Sequence, residues 1–227
     1  ALPICFRGRQ ASAQDFHDFT HIFALDHANL AGLQRIAPAG HGAHLGLLMD
    51  LVAPAARELG VRWTEDCCSF ADVSLGLIRI HEIVHEVGGP DDLRAETSPN
   101  PGKILLSCMP GSRHILGCTI VAEFFRQWGW EARVMLPNHA DELMAVIQDE
   151  PFDVVGLSVA TDGQLKHLKP LIDSMRSEAK NRHLSVFLGG PVFMLREHNA
   201  AEYDADAICI DPRMTVTLAE ISRLTAH

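Results

Sequence analysis

Apolar residues recur at helical spacing through the first third of the chain, then switch to short runs separated by helical stretches. Leu47, Leu48, Leu51, Val52, Ala55 and Leu59 form one amphipathic stripe, stopped by Gly60 and kinked by Pro54. Phe70, Val73, Leu77, Ile80, Ile83 and Val84 form another, stopped by Gly88-Gly89-Pro90. Earlier helices are expected over Ala13 to Leu25 and around Asn29 to Ile36. Residues 1–12 show no clear period and read as an arm. Residues 13–90 then read as a small helical bundle that caps the C-terminal half. Residues 91–102 are rich in Gly, Pro, Asp and Ser and read as a linker.

From 103 to 227 the period changes. Ile104-Leu105-Leu106, Ala132-Arg133-Val134-Met135, Val154-Val155-Gly156-Leu157, Val186-Phe187-Leu188 and Ala207-Ile208-Cys209-Ile210 are strand candidates. Helices are expected over Gly117 to Trp128, Asp141 to Asp149, Gln164 to Ala179, Val192 to Ala201 and Thr215 to Leu224. Five strands alternating with five helices predict a doubly wound, Rossmann-like parallel sheet, so the fold class is α/β. In such a sheet ligands bind beyond the carboxyl ends of the strands.

The bulk numbers narrow the chemistry. The chain has 227 residues, is 47% hydrophobic, and carries a formal net charge of −10. That acidity argues against direct nucleic-acid binding, which needs a basic footprint. No apolar run reaches membrane-spanning length. The six cysteines, Cys5, Cys67, Cys68, Cys108, Cys118 and Cys209, contain no Cys-x-x-Cys pair, which excludes the usual structural zinc spacing. A reduced, cytoplasmic setting is expected. No Ser-His-Asp arrangement, phosphate-cradling lysine loop or separate substrate domain is evident.

Three pieces fall at the expected rim. They are Ser112-Arg113-His114-Ile115-Leu116-Gly117, then Ser158-Val159-Ala160 after 40 intervening residues, then Gly189-Gly190 after 28 more. A lone histidine of this kind is usually a solvated loop residue, and a Gly-Gly pair an ordinary turn; three pieces in register favour one pocket. The set resembles the Asp-x-His-x-x-Gly, Ser-x-Leu, Gly-Gly signature of the cobalamin-binding fold of methionine synthase and the mutases. Serine stands at the aspartate position, and alanine at the leucine position.

Trp63-Thr64-Glu65-Asp66-Cys67-Cys68-Ser69-Phe70 is similar to part of the helical cap that precedes corrinoid modules. Leu157 to Leu165 and Leu188-Gly189-Gly190-Pro191-Val192-Phe193 are similar to one branch, the photosynthesis antirepressors AerR and PpaA and the heme-or-cobalamin sensor domain of AppA. The antirepressor group is the nearer, since neither a flavin domain nor a cysteine-rich tail is present in the sequence.

The resemblance implies a cobalamin-binding (adenosyl- or hydroxocobalamin), light-responsive regulator, not an enzyme. Its partner would be a transcriptional repressor of the CrtJ/PpsR type. His114 would replace the cofactor's benzimidazole as lower cobalt ligand, and so be the metal ligand, with a neutral imidazole. Ser112, at the aspartate position, can accept a hydrogen bond but offers the imidazole no charge. Gly117 and Gly189-Gly190 would let the nucleotide tail lie on the backbone, and Ser158 would bond the displaced base. Arg113, Ile115, Leu116, Cys118, Val159, Ala160, Thr161, Gly163, Gln164, Pro191, Asp206 and Ala207 complete the implied contact set, and Trp63 would cover the upper face. The resemblance also has light break an upper cobalt–carbon bond, after which a histidine takes the vacated place. His17, His21, His27, His41, His44, His81 and His85 are the candidates. His17 and His21, and likewise His81 and His85, are spaced to share a helix face. Two alternatives stand beside this reading: a corrinoid carrier of a methyltransferase system, and a heme-binding redox sensor in which His114 ligates iron.

Overall fold

The structure is a computed structural model that describes residues 11–24, 27–88 and 101–225. It forms two compact units, Ala1–Ile80 and His81–His227. The expected arm and linker lie almost wholly outside the described residues.

The first unit contains α1 (Asp15–Asp18), β1 (His21–Ala24), α2 (His27–Ile36), β2 (His44–Leu47) and α3 (Met49–Thr64), and α4 (Phe70–Gly88) begins in it. The helix expected over Ala13 to Leu25 is therefore only one turn long, and a strand follows it. The reason is local. Asp15 accepts from the Ser12 backbone N–H at 2.8 Å and starts the turn. Phe19 is extended, and the β-branched and aromatic stretch Thr20-His21-Ile22-Phe23 finds a partner in β2. The two strands pair in parallel, His21 opposite His44, with α2 as the connection. This unit is thus mixed α/β rather than a pure bundle. Helix α3 keeps Pro54 and runs past Gly60 to Thr64, beyond its expected stop.

The second unit follows the expected alternation. It runs β3 (Lys103–Cys108), α5 (Leu116–Gln127), β4 (Glu131–Met135), α6 (Ala140–Asp149), β5 (Val154–Ser158), α7 (Asp162–Leu165) and α8 (Leu168–Glu178). Then come β6 (Ser185–Gly189), α9 (Val192–Leu195), a 3-10 turn (Ala200–Tyr203), β7 (Ala207–Ile208) and α10 (Pro212–Thr225). All pairings are parallel, in the order β4-β3-β5-β6-β7. The order reverses between β3 and β5, and that switch point is where a doubly wound sheet opens a crevice.

Strand residues alternate between two faces. Leu105, Val155, Leu157, Val186 and Leu188 pack with Leu143, Ile147, Ile172 and Met175 of α6 and α8. Each such side chain, at 0–1% exposure, contributes roughly 1.5–3 kcal/mol by leaving water. The other face carries Cys108, Ser158 and Ser185, which meet Cys118 of α5 and Ser222 of α10. Acidic residues at the amino edge tie the sheet. Asp153 accepts from the Lys103 backbone N–H at 2.8 Å, and Glu150 pairs with Lys103 and Arg133.

Two helices differ from expectation. The stretch Gln164 to Ala179 is split between α7 and α8, because Pro170 cannot continue a helix through Lys166 and is tolerated only in a first turn. The helix expected to Ala201 ends at Leu195; Arg196 is extended and pairs with Asp162, and the Asn199 side chain caps a fresh turn at Ala201. Among the described residues no helix is long and apolar enough to cross a membrane.

Candidate functional site

The carboxyl ends of β3, β5 and β6 lie in register. Cys108 pairs with Ser158, and Ser158 with Gly189. The three sequence pieces therefore meet at one edge, beside the switch point.

The turn after β3 is tied down by its backbone. The Met109 N–H donates to Ser158 O at 3.1 Å, and the Ser112 N–H to Met109 O at 2.9 Å. The Cys108 thiol donates to the His114 carbonyl at 3.4 Å. These bonds fix the main chain and leave the His114 side chain exposed. Among the described residues no hydrogen bond reaches its imidazole, and none joins it to the buried Ser112 hydroxyl. Arg113 is exposed, and Ile115 and Leu116 are half-buried where α5 begins. A side chain built at Gly117 would meet nothing within 4 Å.

The turn after β5 is held by a capping box. Gln164 Oε1 accepts from the Ala160 N–H at 2.8 Å and the Thr161 N–H at 3.2 Å, while the Thr161 side chain caps α7 in return. Thr161, Gly163 and Gln164 thus shape the rim, and the Thr161 hydroxyl and Gln164 carbonyl oxygen are engaged in doing so. Ser158 is half-buried and Val159 fully buried.

The turn after β6 behaves differently from the one after β3. Gly190 has φ +108°, and a Cβ there would lie 2.4 Å from Val159 O and 2.7 Å from Val159 N. A Cβ at Gly189 would lie 3.0 Å from Cys209 O. These two glycines are required by the protein's own close packing, so clearance for a tail is not needed to explain them. Of Gly117, Gly189 and Gly190, Gly117 alone opens onto free space. Pro191 is exposed at the start of α9.

Asp206 and Ala207 are not brought to this edge. Asp206 accepts from the Val186 N–H at 2.6 Å and pairs with Arg176 at 2.8 Å. Ala207 pairs with Phe187, two positions before Gly189. Trp63 lies in the last turn of α3, in the other unit, and is 51% exposed.

Beneath the His114 turn lies a feature that inspection of single residues misses. Cys108 Sγ and Cys118 Sγ are 3.8 Å apart, both buried. The hydrogen shared with Cys108, and then burial, push the Cys118 thiol well up. Accepting that hydrogen bond draws Cys108 down. The available signal was parity: Cys108 and Ser158 fall on the same face as the first turn of α5.

The cap histidines occupy different surroundings. His17 lies on α1 and His21 in β1, so they do not share a helix face, because the helix ends at Asp18. His21 instead stacks beside Phe23 and His44, with ring centroids 6.1 and 5.2 Å away. His41 packs edge-on against Phe16, and its buried Nδ1 has no hydrogen-bond partner among the described residues. His81 is half-buried on α4; the side chains of His27 and His85 lie outside the described residues.

Among the described residues no group of three or more His, Cys, Asp or Glu could hold a metal ion. A corrin brings four nitrogens of its own, so one imidazole suffices for it. An unengaged imidazole on a pinned turn, next to a glycine facing open space, suits such a group. A cavity of about 660 Å³ also opens between α6 and α8, reaching the edge at Met109, Pro110 and Gln164.

Known proteins resemble this chain in sequence and in fold. The chain is 26% identical over 171 residues to an uncharacterized 20.5 kDa protein in the bchF-crtJ intergenic region of Rhodobacter capsulatus, covering 75% of this chain and 88% of that one. The Methanosarcina barkeri monomethylamine corrinoid protein shares the fold at a TM-score of 0.56 and 14% identity, over 75% and 80% of the two chains. A cobalamin-binding protein from Desulfitobacterium hafniense aligns at a TM-score of 0.48 and 18% identity, over 77% and 81%. Residues 102–221, more than half of the chain, match the B12 binding domain. With the switch-point geometry already established, that match makes the chain a member of the B12-binding domain family.

Proposed function

We propose that this chain is a cobalamin-dependent light sensor that opposes a transcriptional repressor of photosynthesis genes, of the CrtJ/PpsR type, without acting as an enzyme. One observation carries the cofactor half: the exposed, unengaged His114 imidazole beside Gly117, on a turn pinned by Cys108 and Ser158. Support for the repressor half comes from the relative in the bchF-crtJ intergenic region and from the net charge of −10, which favours a protein partner over DNA.

In this reading His114 would hold the cobalt through its imidazole lone pair. The pinned turn lowers the entropic cost of holding that ring. Gly117 leaves clearance at the start of α5. The Ser158 hydroxyl, which also reaches the Cys118 sulfur, would hold the cofactor's nucleotide tail by a hydrogen bond. Bound adenosylcobalamin supplies a cobalt–carbon bond that light can break. The partner is then released or recruited through protein surfaces, with no DNA contact by this chain.

The test is reconstitution with adenosylcobalamin in the dark, followed by illumination in the presence of the repressor and its DNA. The reading expects corrin absorption bands that shift on illumination, and a change in repressor occupancy that requires this chain. Acceptance of a methyl group from a methyltransferase, with no effect of light, would establish the carrier reading instead. A redox-responsive Soret band would establish the heme reading.

A further inference from the structure

We propose that Cys108 and Cys118 are an oxidisable thiol pair that closes an intramolecular disulfide beneath the His114 turn. Both residues stand on rigid elements. Cys108 is the last residue of β3, fixed by pairing with Ser158, and Cys118 lies in the first turn of α5. Their sulfurs are already in contact at 3.8 Å. A disulfide bond is about 2.05 Å long, so closure asks each sulfur to move less than about 1 Å. Rotations about the two side chains can supply much of that.

Among the described residues the other cysteines have no such placement. Cys67 is exposed and Cys68 half-buried in the turn between α3 and α4, Cys209 follows β7, and Cys5 lies outside the described residues. Cys118 directly follows the exposed Gly117 in the chain.

The oxidant is a two-electron acceptor of the peroxide class. One thiol sulfur attacks the peroxide; an S–O bond forms, the O–O bond breaks, and water leaves with the thiol hydrogen. The second sulfur then displaces the hydroxyl. The S–S bond forms, the S–O bond breaks, and a second water carries off the remaining hydrogen. Two thiols are oxidised by two electrons in total, and one peroxide is reduced to two waters.

Closure has a local consequence. The Cys108 sulfur loses its hydrogen and can no longer donate to the His114 carbonyl, which it now does at 3.4 Å. The turn from Met109 to His114 keeps its backbone bonds to Ser158 and Pro137 but loses its tie at the histidine. Oxidation therefore loosens the one residue assigned to the cobalt; this last step rests on the cobalamin reading, whereas the disulfide does not.

The test treats the full chain, free of cofactor, with hydrogen peroxide, then alkylates remaining thiols under denaturing conditions and digests with trypsin. Cleavage after Lys103, Arg113 and Arg126 places the two cysteines in separate peptides. The proposal expects these peptides joined, two hydrogens lighter than their sum, and separated again by a thiol reductant. It also expects faster amide exchange at residues 113–115 in the oxidised chain. Recovery of both peptides singly and alkylated, at a dose that fully oxidises the exposed Cys67, overturns the pair. Because the measurement uses the wild-type chain, no variant needs to fold. A negative result here leaves cobalamin binding untouched, and failure to bind cobalamin leaves the disulfide result standing.

Discussion

At the turn after β6, Gly190 sits at φ +108° with Val159 O only 2.4 Å from where a side chain would begin. At the start of α5, Gly117 has ordinary helical backbone and open space in the same direction. Both glycines belong to the motif that suggested a corrinoid site, and the motif alone treats them alike. The structure separates them. Gly190 answers to the protein's own backbone, as does Gly189 through Cys209 O. Gly117 meets nothing in the described protein, which leaves clearance for a ligand there.

The largest effect is expected of Gly190→Ala. Left-handed strain together with the Val159 clash should cost about 3 kcal/mol. A much lower denaturation midpoint is expected, with or without cobalamin. A variant as stable as wild type would show that the turn relaxes freely.

Next in size is Gly117→Ala. Free of cofactor, the chain should be unchanged or slightly more stable, by at most about 0.5 kcal/mol, since alanine suits a helix better. Affinity for hydroxocobalamin should fall tenfold or more, as expected when a methyl group must fit against a close-packed ligand at a cost of about 1–3 kcal/mol. Unchanged affinity in a titration would remove Gly117 from the site.

Asp206→Ala tests the opposite edge. Its loss should cost about 1 kcal/mol by leaving the Val186 N–H without its acceptor. The visible spectrum of bound cobalamin should not move; a shifted spectrum would return Asp206 to the contact set. The smallest effect on stability belongs to His114→Ala. An exposed side chain with no hydrogen-bond partner among the described residues should change stability by less than about 0.5 kcal/mol. Any larger loss of midpoint would mean that the ring holds the turn together.

Much of the second unit was legible because its signals are local and repeated. Buried strands such as Ile104 to Leu106 and Val154 to Leu157 read as apolar runs, and the helices between them keep a clear period. The break at Pro170 was also written in the sequence, but only once that proline is placed in the first turn of α8. The first unit was harder. Thr20 to Ala24 and His44 to Leu47 are short, and their strand character depends on pairing with each other, which no window along the chain can register.

The same limit applied at the site. His114 and Ser158 were identifiable from spacing and family resemblance. The distinction between Gly117 and Gly190 was not, because it depends on what stands opposite each one. The role of Asp206 was hidden for the same reason, as its partners Val186 and Arg176 lie 20 and 30 residues away.

The most direct test is electron paramagnetic resonance of cob(II)alamin bound to chain whose histidines alone carry nitrogen-15. With His114 on the cobalt, each cobalt hyperfine line splits into a doublet from one protein imidazole, and His114→Ala abolishes the doublet. A triplet from the cofactor's own nitrogen-14 base, or a doublet that survives the substitution, would rule His114 out as the ligand.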